Sequence, residues 1–114
     1  MMNNKELLKG STPMLVLKLL EGRRMYGYEI IKEMESKSEG IFKFKEGTLY
    51  PILHTLEKNG QVVASWAEIG GRKRKYYSIT DKGIDLLRKR RADWDAFTEG
   101  VGRILMDGGD FTMA

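Results

Sequence analysis

The chain has 114 residues, of which 41% are hydrophobic and 32% charged, and its net charge is +4. This length allows one domain with one appended element. No cysteine and a single histidine exclude disulfides, thiolate metal sites and multi-histidine sites, and we expect neither metal nor cofactor. The first nine residues are polar and the longest apolar run, 14–17, is too short to cross a bilayer, so we expect a cytoplasmic protein with no membrane partner.

A helical turn is predicted at 5–9, and two longer helices are predicted before residue 40. Ser11 and Pro13 are typical of the N-cap and first position of a helix, and this helix should be mostly buried and end near Gly22. A connector, 23–27, leads to a second helix from Tyr28 to Ser36, whose inward side chains are Ile30, Ile31 and Met34. The link 38–45 should be anchored to the core by its apolar side chains, which are Ile41, Phe42 and Phe44. Lys43 and Lys45 of the same link should face solvent.

The third helix follows from a repeat of four aliphatic residues. They recur at i, i+3, i+4 and i+7, which places them on one helix face, and they are Leu49, Ile52, Leu53 and Leu56. Asn59 and Gly60 form a stop signal. Polar side chains and a proline occupy the other side, among them Thr48, Tyr50, Pro51 and His54.

After Gly60 the period changes from about 3.6 to 2. Residues 62–67 and 74–79 are predicted strands, joined by a turn at Gly70 and Gly71 with Arg72 and Lys73 at its tip. Thr80 and Asp81 begin a last helix that runs to about Met106, roughly 40 Å. We therefore divide the chain into a DNA-binding domain at 1–80, a dimerisation helix at 81–106 and a flexible tail at 107–114.

Three helices followed by a hairpin with a basic tip are the order of a winged helix-turn-helix, so the predicted fold is mainly α with a small β-hairpin wing and a C-terminal helix. Two basic runs, 72–75 and 88–91, suit a polyanion such as double-stranded DNA. The third helix would then enter the major groove and the hairpin would contact the backbone or the minor groove.

Four motifs in the same order resemble the PadR-like family of winged-helix transcriptional regulators. They are Tyr26-Gly-Tyr-Glu-Ile-Ile31, Gly47-Thr-Leu-Tyr-Pro51, Leu56-Glu-Lys-Asn-Gly60 and Gly70-Gly-Arg-Lys-Arg-Lys-Tyr-Tyr-Ser-Ile-Thr80. The single short C-terminal helix resembles that of the smaller subgroup of this family, in which the last helix is a dimerisation arm. The resemblance implies a dimeric repressor that small aromatic or cationic compounds release from DNA.

The candidate DNA contacts come from the third helix, the link before it and the wing. Hydroxyl, phenol and imidazole groups can reach phosphates or base edges, and lysine and arginine contact phosphates. We expect the set Lys43, Lys45, Thr48, Tyr50, Pro51, His54, Arg72, Lys73 and Arg74. The exposed face of the third helix has no arginine, asparagine or glutamine before Asn59, so shape and backbone contacts should carry much of the affinity. Tyr76 and Tyr77 should pack the wing.

The last helix carries an apolar stripe too long to be buried on its own small domain, which predicts a twofold homodimer and an inverted-repeat operator. The predicted interface is Ile84, Leu87, Trp94, Val101, Ile104 and Leu105. Trp94, with Phe97 beside it, is either dimer core or a stacking surface for a planar aromatic ligand. In related proteins of the smaller subgroup, a tryptophan in a similar place stacks aromatic compounds. Gly100 and Gly102 allow either close helix approach or a kink.

Two other classes of function compete with this interpretation. A winged helix can also bind protein or RNA without an operator of its own, and this alternative stays open. An enzyme would need a nucleophile with a base, paired carboxylates in a cleft or a metal cluster, and the sequence shows none of these patterns.

Overall fold

The computed structural model describes residues 10–106, and the predicted helical turn at 5–9 and the predicted tail at 107–114 lie outside this range. The described part contains four helices and a three-stranded antiparallel sheet. In chain order these are α1 (Thr12–Gly22), β1 (Met25–Tyr26), α2 (Gly27–Lys37), α3 (Glu46–Lys58), β2 (Val62–Ile69), β3 (Arg72–Ile79) and α4 (Asp81–Leu105). The predicted fold class, a winged helix with a C-terminal helix, is confirmed. No helix in the described range is long and apolar enough to span a bilayer.

Helix α1 forms the centre of the core. Apolar residues occupy most of its circumference, and α2, α3, β3 and α4 all pack against it. Every one of these elements adds buried aliphatic or aromatic side chains to one continuous cluster, including Val16, Leu17, Ile30, Leu49, Leu53, Tyr77 and Leu87.

Helix α2 and the link after it follow the predicted pattern with one exception. Ile30 and Met34 are buried, Ile31 is half-buried, and Phe42 and Phe44 pack against the core. Ile41 is instead 58% exposed, so its predicted role as an anchor is wrong. The link alternates between inward and outward side chains, and Ile41 falls on the same side as the two lysines.

Strand β1 was not predicted. Met25 and Tyr26 pair with Tyr77 and Tyr76 of β3, so the segment read as a connector is the edge strand of the sheet. The strand order is β1-β3-β2. Two residues are too few to show a period of two in the sequence.

The wing is longer than predicted. Strands β2 and β3 pair from Val62 opposite Ile79 to Ile69 opposite Arg72, so Arg72 and Lys73 belong to β3 rather than to the turn. Gly70 and Gly71 form the two-residue turn, with φ of +61° and +78°. Positive φ at both positions is the requirement of the tight hairpin turn that matches strand twist.

Helix α4 begins in the core and then leaves it. Gly83 and Leu87 are buried, and α1 is the element that α4 contacts most extensively. From Arg91 to Glu99 every residue is exposed. The helix starts at Asp81 as predicted, but its first two turns pack together with the winged helix. Only the remainder extends into solvent as a free arm.

Candidate nucleic-acid interface

The outward side of α3 is a shallow polar surface with a proline at its centre. Thr48, Pro51, His54, Thr55 and Lys58 are all exposed. The Thr55 hydroxyl donates a hydrogen bond to the Pro51 carbonyl at 3.1 Å, which supports the helix one turn after the proline. Because three buried leucines fix the inward side of the helix, this surface is held rigidly towards solvent.

Tyr50 departs from the predicted outward position. Its ring is half-buried against the core cluster, and its hydroxyl lies where a side chain on Gly27 would otherwise be. Burial raises the pKa of the Tyr50 phenol, and the charge of Glu46 adds to this effect. Tyr50 therefore joins α3 to the start of α2, and only part of its ring, 6.4 Å from that of His54, borders the exposed surface.

Lys43 and Lys45 are exposed immediately before α3, as predicted. The Lys45 carbonyl accepts hydrogen bonds from the backbone N–H groups of Thr48 and Leu49, both at 3.0 Å, so Lys45 is the N-cap residue. Two ammonium groups beside the N-terminus of a helix add to its positive dipole end. The start of α3 is consequently suited to a phosphate group.

The wing divides its basic run between two faces of the sheet. Arg72 and Lys73 are exposed near the tip, but Arg74 is half-buried and its guanidinium lies over the ring of Tyr26, 4.3 Å from the centroid. Lys75 points to the other face and forms an ion pair with Glu57 of α3 at 3.8 Å. The sequence did not single out this link between the wing and α3.

Trp66 also lies on the wing. It stands opposite Lys75 in the ladder and is 64% exposed. Tyr76 and Tyr77 pack the wing, as predicted. Tyr77 faces the core, and Tyr76 is buried on the opposite face against Tyr26.

The second basic run, 88–91, lies beside α1 rather than beside α3. Arg90 donates a hydrogen bond to the Gly10 carbonyl at 3.1 Å. The pKa of the Glu21 carboxyl is lowered, chiefly by a hydrogen bond from Lys18 and further by the charges of Arg88 and Arg91. The sequence predicts that this run adds to a patch for a polyanion. In the structure Arg90 instead contacts the segment just before α1, and Arg88 and Arg91 lie near Glu21 of α1.

The free arm of α4 presents an unpaired apolar stripe. Its members are between 38% and 85% exposed and recur every three or four residues, namely Trp94, Phe97, Val101, Ile104 and Leu105. Of the other predicted interface residues, Ile84 is half-buried, and Leu87 is only 5% exposed because it packs in the core of its own chain. The stripe therefore starts at Trp94 and not at Ile84.

The two aromatic residues predicted to hold a ligand are neighbours on this arm. The ring centroids of Trp94 and Phe97 are 6.2 Å apart, and the ring planes are inclined by 30°. Acidic side chains are exposed close by on the helix, namely Asp93, Asp95 and Glu99, and Glu99 pairs with Arg103 at 3.5 Å. Among residues 10–106, no cluster of three or more histidine or acidic side chains could hold a metal ion.

Comparison with known proteins identifies the family. The sequence profile of the transcriptional regulator PadR-like family matches residues 16–89, which run from α1 into α4. The chain belongs to this family. The matched segment contains all four motifs that carried the resemblance, so a PadR-like regulator is what both the local sequence and the winged-helix fold indicate.

Individual relatives agree with this assignment. The transcriptional regulator Rv3488 of Mycobacterium tuberculosis is 28% identical over 99 residues, which cover 86% of this chain and 90% of that protein. A PadR family transcriptional regulator from Eggerthella lenta is 36% identical, with a TM-score of 0.78 and coverage of 88% of this chain and 86% of its own. A transcriptional regulator from Clostridium thermocellum reaches a TM-score of 0.82 at 29% identity, covering 89% of this chain and 99% of its own. The similarity thus extends over nearly the whole chain.

Proposed function

We propose that this PadR-like regulator binds double-stranded DNA as a homodimer, with α3 in the major groove and the wing on the adjacent backbone or minor groove. The observation that carries the proposal is the exposed polar side of α3, which lies between lysines at its start and the basic wing. An ion pair from Lys75 to Glu57 ties α3 to the wing. A protein with this function acts in the cytoplasm, where its DNA is.

Most of the affinity should come from phosphates. Lys43 and Lys45 at the start of α3 and Arg72 and Lys73 near the wing tip are exposed cations, and the half-buried Arg74 is a fifth candidate. We expect direct base contacts from Thr48 and His54. Tyr50 is packed against α2, and Pro51 has no hydrogen-bond donor. A surface with so few base-reading groups needs a second copy to gain sequence specificity.

The stripe on α4 supports that second copy. Five apolar side chains exposed on one side of a helix arm are costly in water, and an identical stripe can cover them around a twofold axis. A twofold axis also places two α3 helices about one DNA turn apart, so we propose an inverted-repeat operator. A dimer that covers a promoter can exclude RNA polymerase from it, and we propose that this protein acts as a repressor.

The pair of Trp94 and Phe97 supports a ligand at the dimer centre. Two adjacent aromatic rings can stack on a flat molecule, and the exposed carboxylates nearby favour one with positive charge. A planar aromatic compound bound there would change the angle between the two arms and hence the spacing of the α3 helices. We propose this as the route of release from DNA.

The decisive experiment is binding to genomic fragments, including the promoter of the protein's own gene, at about 150 mM salt. A preferred fragment with an inverted repeat supports the proposal. Absence of any sequence preference would overturn it and leave the alternative, a winged helix that binds protein or RNA.

Single substitutions then test the surface. Lys43→Ala and Arg72→Ala should each weaken binding to all sequences alike and reduce the slope of log K against log salt by about one. Lys37→Ala is the matched control, since Lys37 is exposed in the cleft between α1 and α2, and it should leave the slope unchanged.

A further inference from the structure

Two arginines and two tyrosines form a cluster on the outer face of the sheet, the face that points away from the core. The ring of Tyr26 meets the ring of Tyr76 edge to face, with centroids 5.4 Å apart and planes at 77°. The Arg24 guanidinium lies 4.7 Å from the centroid of Tyr76, and that of Arg74 lies 4.3 Å from the centroid of Tyr26.

The register of the sheet creates this arrangement. Tyr26 stands directly opposite Tyr76 across β1 and β3. Arg74 precedes Tyr76 by two residues on β3 and therefore shares its face, diagonal to Tyr26. Long and aromatic side chains reach each other across such diagonals. The cluster thus requires β1, the two-residue strand that the sequence did not reveal.

Tyr26 is held firmly at its own position. Its backbone pairs in the sheet, it is the N-cap residue of α2, and its N–H donates a hydrogen bond to the Glu29 carboxylate at 3.2 Å. The same carboxylate forms an ion pair with Arg23 at 3.2 Å. The ring is therefore fixed at the junction of the sheet and α2, and it gives Arg74 a support outside the hairpin.

We propose that Tyr26 is a positioning residue for DNA binding, because it holds the Arg74 guanidinium in place to contact a phosphate. This inference rests on the proposed function. A guanidinium that stacks on a ring uses its flat face, and the N–H donors along its edge stay available for a bidentate contact. Arg72 and Lys73, nearer the tip, have no such support and contribute mainly charge.

The proposal predicts coupling between Tyr26 and Arg74. Tyr26→Leu removes the ring and should weaken binding to operator DNA about three- to tenfold, nearly as much as Arg74→Ala. The double variant should bind like Arg74→Ala alone, because the ring acts only through the guanidinium. Tyr26→Phe keeps the ring face and should bind within about twofold of wild type.

Arg72 provides the matched control, since it is on the same strand and face but two residues further from the ring. Tyr26→Leu should lower affinity by the same factor in an Arg72→Ala background as in wild type. Thermal melts followed by circular dichroism establish that each variant is folded at the temperature of the binding experiment. If Tyr26 had only a structural role, Tyr26→Leu would lower affinity by the same factor in the Arg72→Ala and the Arg74→Ala backgrounds.

Two results would overturn the inference: an unchanged affinity of Tyr26→Leu, or an equal loss with and without Arg74. Should Tyr26→Leu fail to fold, Tyr26→Met decides instead, in the same cycle with Arg74→Ala. Methionine also removes the ring face, so a loss of affinity that disappears in the Arg74→Ala background supports the inference, and an unchanged affinity or an equal loss in both backgrounds overturns it. The contact is to phosphate, so the same cycle can be measured on non-specific duplex DNA. Failure of the proposed operator binding is thereby distinguished from failure of this inference.

Discussion

The hydroxyl of Tyr50 occupies the space directly above the Cα atom of Gly27, so that α3 and α2 meet where a side chain is missing. The tyrosine side chain fills a notch between the two helices. The two motifs that contain these residues, separated by more than 20 positions in the sequence, are therefore one structural unit. Substitutions at either residue should move α3 relative to the rest of the domain.

Gly27→Ala should destabilise the protein by about 1–3 kcal/mol, because the new Cβ atom would overlap the Tyr50 ring. Denaturant unfolding measures this loss. Gly22→Ala is the control, since open space surrounds that position at the end of α1. In a Tyr50→Leu background, Gly27→Ala should cost clearly less than in wild type. An equal cost in both backgrounds would show that the ring does not occupy the notch.

Gly47→Ala should have opposite effects on the stability of the protein and on its affinity for DNA. Gly47 lies exposed in the first turn of α3, and an added Cβ atom meets nothing within 4 Å. Alanine should stabilise the free protein by up to about 1 kcal/mol. DNA affinity should fall, because the start of α3 is where we propose that a phosphate approaches the backbone. Unchanged affinity would mean that the helix start stays away from the DNA.

The apolar stripe on α4 predicts how dimerisation can be disrupted without loss of the fold. Val101→Glu should weaken the dimer at least about tenfold, since a carboxylate would be buried opposite apolar side chains. The monomer should keep its melting temperature when measured at low concentration, because Val101 packs on nothing in its own core. Ala92→Glu, on the opposite side of the helix, is the control. Sedimentation equilibrium gives the dissociation constants, and a Val101→Glu protein that dimerises like wild type contradicts the proposed interface.

The glycines of α4 fall into two groups. Gly83 is confined, since a Cβ atom there would overlap the Gln61 carbonyl and meet Ile79 at 2.7 Å, and Gly83→Ala should destabilise the fold. Gly100 and Gly102 have open space around them. Alanine at either one should raise helicity and stabilise the arm by about 1 kcal/mol. Helicity can be followed by circular dichroism. A lower melting temperature would indicate that two arms approach each other closely at these glycines.

Trp94 should report ligand binding by its fluorescence. In a Trp66→Phe background, which the exposure of Trp66 should make harmless, the remaining signal comes from Trp94 alone. Planar aromatic cations should quench it with saturation, and Phe97→Ala should weaken that response. If neither such cations nor phenolic acids change the emission, Trp94 is part of the dimer core only.

The elements that the sequence determined by itself are those encoded by short-range patterns. The aliphatic repeat from Leu49 to Leu56 fixes which side of α3 is buried, and Gly70 with Gly71 allows only a tight turn. Each depends on neighbours within a few residues, through helix or strand periodicity and through φ values open to glycine. The order of these elements was enough to predict the winged helix.

The tertiary structure alone decided which side chains stay free at the surface. Tyr50 is directed inward at Gly27, Leu87 is buried against α1, and Arg74 lies over the ring of Tyr26. In each case the partner comes from an element distant in the sequence. Periodicity assigns a residue to one face of its own helix or strand, but packing and strand register determine what that face meets.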